Sequence, residues 1–121
     1  MRGGQLMSDC IFCKIANKEV KSDVIFEDEQ VVVFRDLAPK APQHVLIIPK
    51  KHISSLNELK EEDKNLSAHI LVDVIPHIAR ELKIDKSGFR IVVNTGDEGG
   101  QTVNHLHFHI LGGRSMTWPP G

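Results

Sequence analysis

At 121 residues the chain has the length of one domain, enough for a single core and too short for two. Fifteen basic side chains against 16 acidic ones leave it near neutral, with no long run of one sign, which argues against broad electrostatic capture of nucleic acid or a membrane surface. The longest apolar stretches, such as Val45-Leu46-Ile47-Ile48, fall far short of the roughly 20 residues that cross a bilayer.

The N-terminus, MRGGQLMSDC, has one arginine but no continuous apolar region of the kind a secretory signal needs, so a cytoplasmic protein is expected. Met7-Ser8-Asp9 would also serve as a start, and residues 1–6 are set aside from fold reasoning. Residues 1–8 are expected to be disordered and residues 9–121 to form one domain. The two cysteines, Cys10 and Cys13, form a Cys-x-x-Cys pair. In a reducing compartment such a pair binds metal or does redox chemistry, and the short polar segment after it lacks the βαβ setting of a redox motif. Metal is therefore favoured. A short helix is expected over residues 13–18.

Two β-rich runs follow, Asp23-Val24-Ile25-Phe26-Glu27 and Val31-Val32-Val33-Phe34-Arg35, joined by the compact polar link Asp28-Glu29-Gln30 as in a hairpin. A third strand, residues 44–48, is bounded by Pro39, Pro42 and Pro49, which cannot donate into a ladder. Residues 61–82 change period: Leu66, Ile70, Val74, Ile78 and Leu82 recur every fourth residue, with Leu71, Ile75 and Ala79 on the adjoining row. One long helix is predicted there, kinked or broken at Pro76, whose missing N–H would have bonded Val72. Residues 89–94 make a fourth strand and the run up to Leu111 a fifth. The fold class is α+β: a five-stranded, mainly antiparallel sheet with one long helix and a short N-terminal one.

The fifth run, Asn104-His105-Leu106-His107-Phe108-His109-Ile110-Leu111, holds three of the seven histidines. Strand alternation puts His105, His107 and His109 on one face and Leu106, Phe108 and Ile110 on the other, free to pack on the helix. Alternate residues lie roughly 6.5 to 7 Å apart along a strand, so two neighbouring imidazoles can share a metal but three would strain. The three rings should have different tasks. A zinc hydrolase would want about three protein ligands and a carboxylate base, and no His-Glu-x-x-His segment occurs. Just upstream, Asn94-Thr95-Gly96-Asp97-Glu98-Gly99-Gly100-Gln101-Thr102 is a glycine-rich link able to bring backbone N–H groups near an anion, although it lacks the Lys-Ser/Thr of a P-loop.

The run His105-x-His107-x-His109-Ile110-Leu111, preceded by Gly99-Gly100-Gln101-Thr102-Val103, resembles the motif of the histidine triad (HIT) family. The stretches IFCKI, FEDEQVVVFRDLAPKAPQHVLIIPKKHI, VVNTGDEGGQTVNHLHFHILGGR and the terminal WPPG are similar to its Hint branch, the histidine triad nucleotide-binding proteins. The likeness runs from about Asp9 to Gly121. It implies a HIT-like, dimerising fold and an enzyme that hydrolyses P–N bonds of purine nucleoside phosphoramidates, such as adenosine 5′-phosphoramidate to AMP.

By position in that motif, His107 is the nucleophile, which attacks phosphorus to give a labile nucleotidyl-histidine. His109 contacts the phosphate or leaving group, His109 or Thr102 relays a proton, and His44 lies near the nucleophile. By the same resemblance Asp36 matches the acidic residue that accepts from the two ribose hydroxyls. Phe12, Ile25, Phe34 and Leu37 resemble the walls around the purine, whereas Phe26 reads better as core. Asn94, Gln101 and Thr102 match phosphate contacts, with Gly100 giving a close backbone approach. The tail implies a homodimer in which Trp118 lies near the partner's substrate. Cys10, Cys13, His52 and His105 match a structural Zn²⁺ set found in some members, a complete Cys₂His₂ tetrahedron. Alternatives are a dinucleoside polyphosphate hydrolase of the sister branch, argued against by the compact tail, and a zinc- or nucleotide-binding interaction module with weak catalysis. Three features are unusual: Pro76 within the helix, Asn104 where an aromatic often precedes the triad, and Arg35 beside Asp36.

Overall fold

The structure is a computed structural model that describes residues 9–121, so the expectation of disorder over residues 1–8 lies outside the described residues. In chain order the elements are α1 (Ile11–Ala16), β1 (Val24–Glu27), β2 (Val31–Arg35), β3 (Gln43–Pro49), α2 (Lys64–Ala68), a π-helical segment (His69–Val74), α3 (Ile75–Glu81), β4 (Phe89–Val92) and β5 (Phe108–Gly112). The five strands form one antiparallel sheet in the order β1-β2-β3-β5-β4, with β3 in the middle between β2 and β5. The α+β class and the five strands expected from the sequence are present.

Period-2 alternation explains how the sheet is covered on both faces. Val31 and Val33 of β2, Val45 and Ile47 of β3, and Phe108 and Ile110 of β5 face the long helical stretch, meeting Ile70, Val74, Ile75, Ile78 and Ala79. The intervening Val32, Phe34, Leu46 and Ile48 face the other way, against Phe12, Ile15 and Ala16 of α1. Strands buried on both sides read as continuous apolar runs, which is why Val31-Val32-Val33-Phe34 and Val45-Leu46-Ile47-Ile48 show no polar alternation.

The α-helical pattern is interrupted just ahead of Pro76: Ile75 N–H bonds to Ile70 C=O, five residues back, and Pro76 is the second residue of α3, its missing N–H falling where the bonding pattern changes from π to α. Positions four apart drift by about 40° round an α-helix at each step, and the wider π-turn takes that drift back, so Leu66, Ile70, Val74 and Ile78 stay on the core face. Leu71, on the adjoining row of the sequence pattern with Ile75 and Ala79, is turned out at 55% exposure beside Val72 at 68%.

The short N-terminal helix starts two residues earlier than expected because Cys10 caps it, its Sγ accepting from Cys13 N–H at 3.4 Å. The fourth strand stops at Val92, short of the expected residue 94. The fifth starts only at Phe108. Leu106 N–H leaves the ladder to bond Ile53 C=O at 2.6 Å, so His105 and His107 lie in the approach to β5 rather than in it. The alternation nevertheless persists, with Leu106 in the helix-side core.

Candidate functional site

Two adjoining clusters lie on the α1 side of the sheet. In the first, the sulfurs of Cys10 and Cys13 approach His105 Nδ1 at 3.3 and 3.5 Å, and Cys13 Sγ approaches His52 Nδ1 at 3.1 Å. All four potential ligand atoms lie within 4.8 Å of one another. His105 Nε2–H donates to Pro49 C=O at 2.8 Å, which places the ring's lone pair on Nδ1, the nitrogen aimed at the sulfurs. Burial holds His105 neutral, pushing its pKa down to about 4, which is the state a ligand needs. Burial and the Cys10 thiol push Cys13 up to about 12, so holding thiolates there takes the positive charge a divalent metal supplies. The donor set and its supporting hydrogen bond therefore fit a closed tetrahedral metal.

The second cluster begins two residues later, at His107. His107, 5% exposed, donates Nδ1–H to the His105 carbonyl at 2.7 Å, leaving its lone pair on Nε2. Burial outweighs that bond and keeps the ring's pKa below the ordinary histidine value. Phe12 of α1 packs edge-on against it, ring centroids 5.1 Å apart. His109 lies 5.1 Å from His107 by ring centroid and meets His44 Nε2 through its own Nδ1 at 2.9 Å. Burial, then the His107 and His44 rings, push the His109 pKa down to about 4. His44 is lowered too, by burial first, with Asp36 opposing and Lys40 assisting.

His107 and His109 open on a cavity of about 290 Å³ between α1 and the sheet. Ile11, Phe12, Ile15, Phe34, Leu46 and Val103 make its apolar wall, and Asp36, Thr102, His107 and His109 its polar end. An apolar slot with a few convergent polar groups is the usual form of a small-ligand site. Asp36 is held at its mouth, Oδ1 accepting Ala38 N–H at 2.8 Å and Oδ2 lying 3.5 Å from His44 Nε2.

Of the residues expected at the nucleoside, Phe12, Phe34, Asp36 and Leu37 line this cavity, Leu37 as an exposed rim, and so does Thr102, expected at the phosphate. Ile25 does not. A β-bulge between Val24 and Phe26 lets Ile25 and Phe26 pack together on the helix-side core, which takes Ile25 off the cavity and matches the expectation for Phe26. Gln101, expected on phosphate, is engaged by backbone instead: Nε2 donates to Ser54 C=O, in the segment after β3, at 2.6 Å and to Val103 C=O at 2.9 Å, and Oε1 accepts Gly96 N–H at 3.0 Å. Gly100 stands at φ +81° and gives its N–H to Asp97 C=O at 3.0 Å, so it shapes the turn. Asn94 is half-buried and Trp118 is 80% exposed, neither lining the cavity within one chain. The sequence reading missed Ile11, Ile15, Leu46 and Val103; the spacing of Ile11, Phe12 and Ile15 along one helix face was the available signal for the first two.

A sequence profile of the HIT domain matches residues 17–116. The chain is similar to an uncharacterised HIT-like protein of Synechococcus elongatus, 47% identical over 116 residues, which span 96% of this chain and all of that one. Among solved structures it is similar to a HIT family hydrolase from Legionella pneumophila, with a TM-score of 0.89, 48% identity, and coverage of 93% of this chain and 99% of that one. At greater distance, it is similar to a histidine triad nucleotide-binding protein from Candida albicans, with a TM-score of 0.76, 34% identity, and coverage of 91% and 82%. No helix among the described residues is long and apolar enough to cross a membrane.

Proposed function

The chain belongs to the HIT domain family, and we propose that within it this protein is a nucleotide-binding hydrolase of the Hint branch, cleaving the P–N bond of purine nucleoside phosphoramidates. The observation that carries this reading is the tautomer of His107: with Nδ1–H committed to the His105 carbonyl, its Nε2 lone pair belongs to a buried, neutral ring that lines a nucleoside-sized cavity. The name of the Candida relative, a nucleotide-binding protein, supports the ligand class.

In this reading the purine lies against Phe12 and Phe34, and the Asp36 carboxylate accepts from the ribose hydroxyls. His107 Nε2 attacks phosphorus as the P–N bond breaks, and the departing nitrogen takes a proton relayed by His109 or Thr102. Water then adds its oxygen to phosphorus and releases His107 as the free imidazole, giving the nucleoside monophosphate and an amine. Cys10, Cys13, His52 and His105 would hold a structural Zn²⁺, which would fix the His105 backbone against which His107 is oriented. The working form is a cytoplasmic homodimer, with Trp118 of each tail near the other subunit's site.

Incubating the protein with adenosine 5′-phosphoramidate tests the reading. AMP should form, and His107→Asn should lower kcat by about four orders of magnitude or more. Turnover surviving the substitution would remove His107 from the nucleophile's role. A parent protein inert towards phosphoramidates but active on dinucleoside polyphosphates would move it to the sister branch, and one inert to both would leave a binding module.

A further inference from the structure

His44 does not itself line the cavity but stands behind His109 and Asp36, which do, and its two nitrogens make the most informative contacts in the site. Lys40 N–H lies 3.0 Å from His44 Nδ1. A backbone N–H can only donate, so His44 Nδ1 must carry a lone pair, and the ring's single proton sits on Nε2. That Nε2–H faces His109 Nδ1 at 2.9 Å, with the Asp36 oxygen farther away at 3.5 Å. His109 Nδ1 must then accept. We propose that His44 is a positioning residue which, set by the Lys40 amide, fixes His109 as its Nε2–H tautomer, so that the ring presents a proton to the phosphoryl group that His107 attacks.

The two neighbouring rings of the motif thereby end in opposite tautomers. His107 has its proton on Nδ1 and its lone pair on Nε2, because a carbonyl faces Nδ1. His109 has the reverse, because an N–H faces Nδ1. One ring offers an electron pair and the other a proton, at a centroid separation of 5.1 Å. The arrangement is braced from outside the cavity. Arg114 donates through Nε and Nη2 to Lys40 C=O at 3.1 and 2.9 Å, and through Nη1 to Ser115 C=O at 3.0 Å, tying residue 40 to the segment after β5. From the other side, Asp36 N–H bonds His44 C=O at 3.0 Å.

The same protons bar a rival use of this cluster. Asp36, His44 and His109 lie close enough together to suggest a two-histidine, one-carboxylate metal site. Metal at His44 Nε2 would require the proton to move to Nδ1, where it would meet the Lys40 N–H head-on. The geometry favours a hydrogen-bonded pair.

The inference rests on the hydrolase reading for its purpose but not for its test. Long-range ¹H–¹⁵N NMR on labelled protein reads the tautomer of each histidine. In the parent, His109 should show its proton on Nε2 and His107 on Nδ1. His44→Phe, which removes the donor, should release His109 into a mixture and lower kcat by about 10²-fold with little change in KM. His44→Gln, whose amide N–H replaces the donor, should restore the Nε2–H pattern and most of kcat. A His109 proton on Nδ1 in the parent, or an unchanged His109 pattern in His44→Phe, overturns the proposal; the parent spectrum decides even if the Phe variant fails to fold. If the parent shows the expected tautomers but releases no AMP, the hydrolase reading fails while the tautomer assignment stands.

Discussion

Residues 105–110 serve both faces of the sheet at once, and the two faces follow different rules. Leu106, Phe108 and Ile110 enter a helix-side layer made of apolar groups, where what matters is the volume filled. His105, His107 and His109 enter the α1 side, where His105 and His107 are buried and His109 partly so, and one nitrogen of each ring has its role set by what faces it. The helix side anchors the segment so that the other side can specify protons. A change on one face should therefore cost stability with the chemistry kept, and a change on the other the reverse.

The most damaging test of that division for the fold is Ile110→Ala. Ile110 is fully buried at the centre of the sheet, paired with Val45 of β3 and Ile91 of β4. Its truncation should cost about 2–5 kcal/mol in denaturant unfolding. The folded fraction should retain the parent's kcat, in contrast to His107→Asn, which should unfold near the parent's midpoint while losing turnover. Comparable losses of kcat in both variants would erase the distinction between the faces.

The Cys₂His₂ cluster straddles the comparison, since His105 reaches the cysteines with its ring and His107 with its carbonyl. Zinc added at 100 times its dissociation constant should stabilise the parent by about 2.7 kcal/mol. Cys13→Ala should lose that gain, seen as a melting temperature indifferent to zinc or chelator. A parent equally indifferent would leave the four side chains as an ordinary buried polar cluster.

Much of this layout was legible from residue order. The doubly buried β2 and β3, the alternation of the histidine run and the close cysteine pair all follow from side-chain period and donor chemistry. What escaped was whatever depends on an extra residue in a ladder or turn. The bulge at Val24 and Phe26 moved Ile25 to the wrong face for a purine, and the π-turn ahead of Pro76 goes with a Leu71 that faces solvent. Neither insertion changes composition or period enough to be read in advance. Gln101 escaped for another reason: its position in the motif matched a phosphate contact, whereas its three polar groups are claimed by Ser54, Val103 and Gly96 across the loop.

The smallest effect belongs to a contact that ties the π-segment to the β1–β2 turn. His69 Nε2 meets Asp28 Oδ2 at 2.7 Å and Nδ1 meets Asp73 Oδ2 at 2.9 Å, so carboxylates face both nitrogens and favour the doubly protonated ring. Asp28, first, and Asp73 raise its pKa above the ordinary histidine value. Burial works against ionised Asp28, but His69 and the Gln30 and Val31 amides outweigh it and lower that pKa. A raised histidine contributes stability that is complete below its unfolded pKa of about 6.5 and is lost as pH rises through the higher folded value. Lowered Asp28 contributes above about pH 3.9 and loses it as pH falls further. His69→Gln, which keeps hydrogen bonding and removes the charge, should therefore cost most between about pH 4 and 6.5 and progressively less in alkali. With about a quarter of the His69 and Asp28 side chains and two-thirds of Asp73 in solvent, screening should keep the difference within about 1 kcal/mol. Thermal unfolding of parent and variant at pH 5.5 and pH 9 measures it, and equal gaps at the two pH values would show that the charge on His69 contributes nothing to holding the turn against the helix.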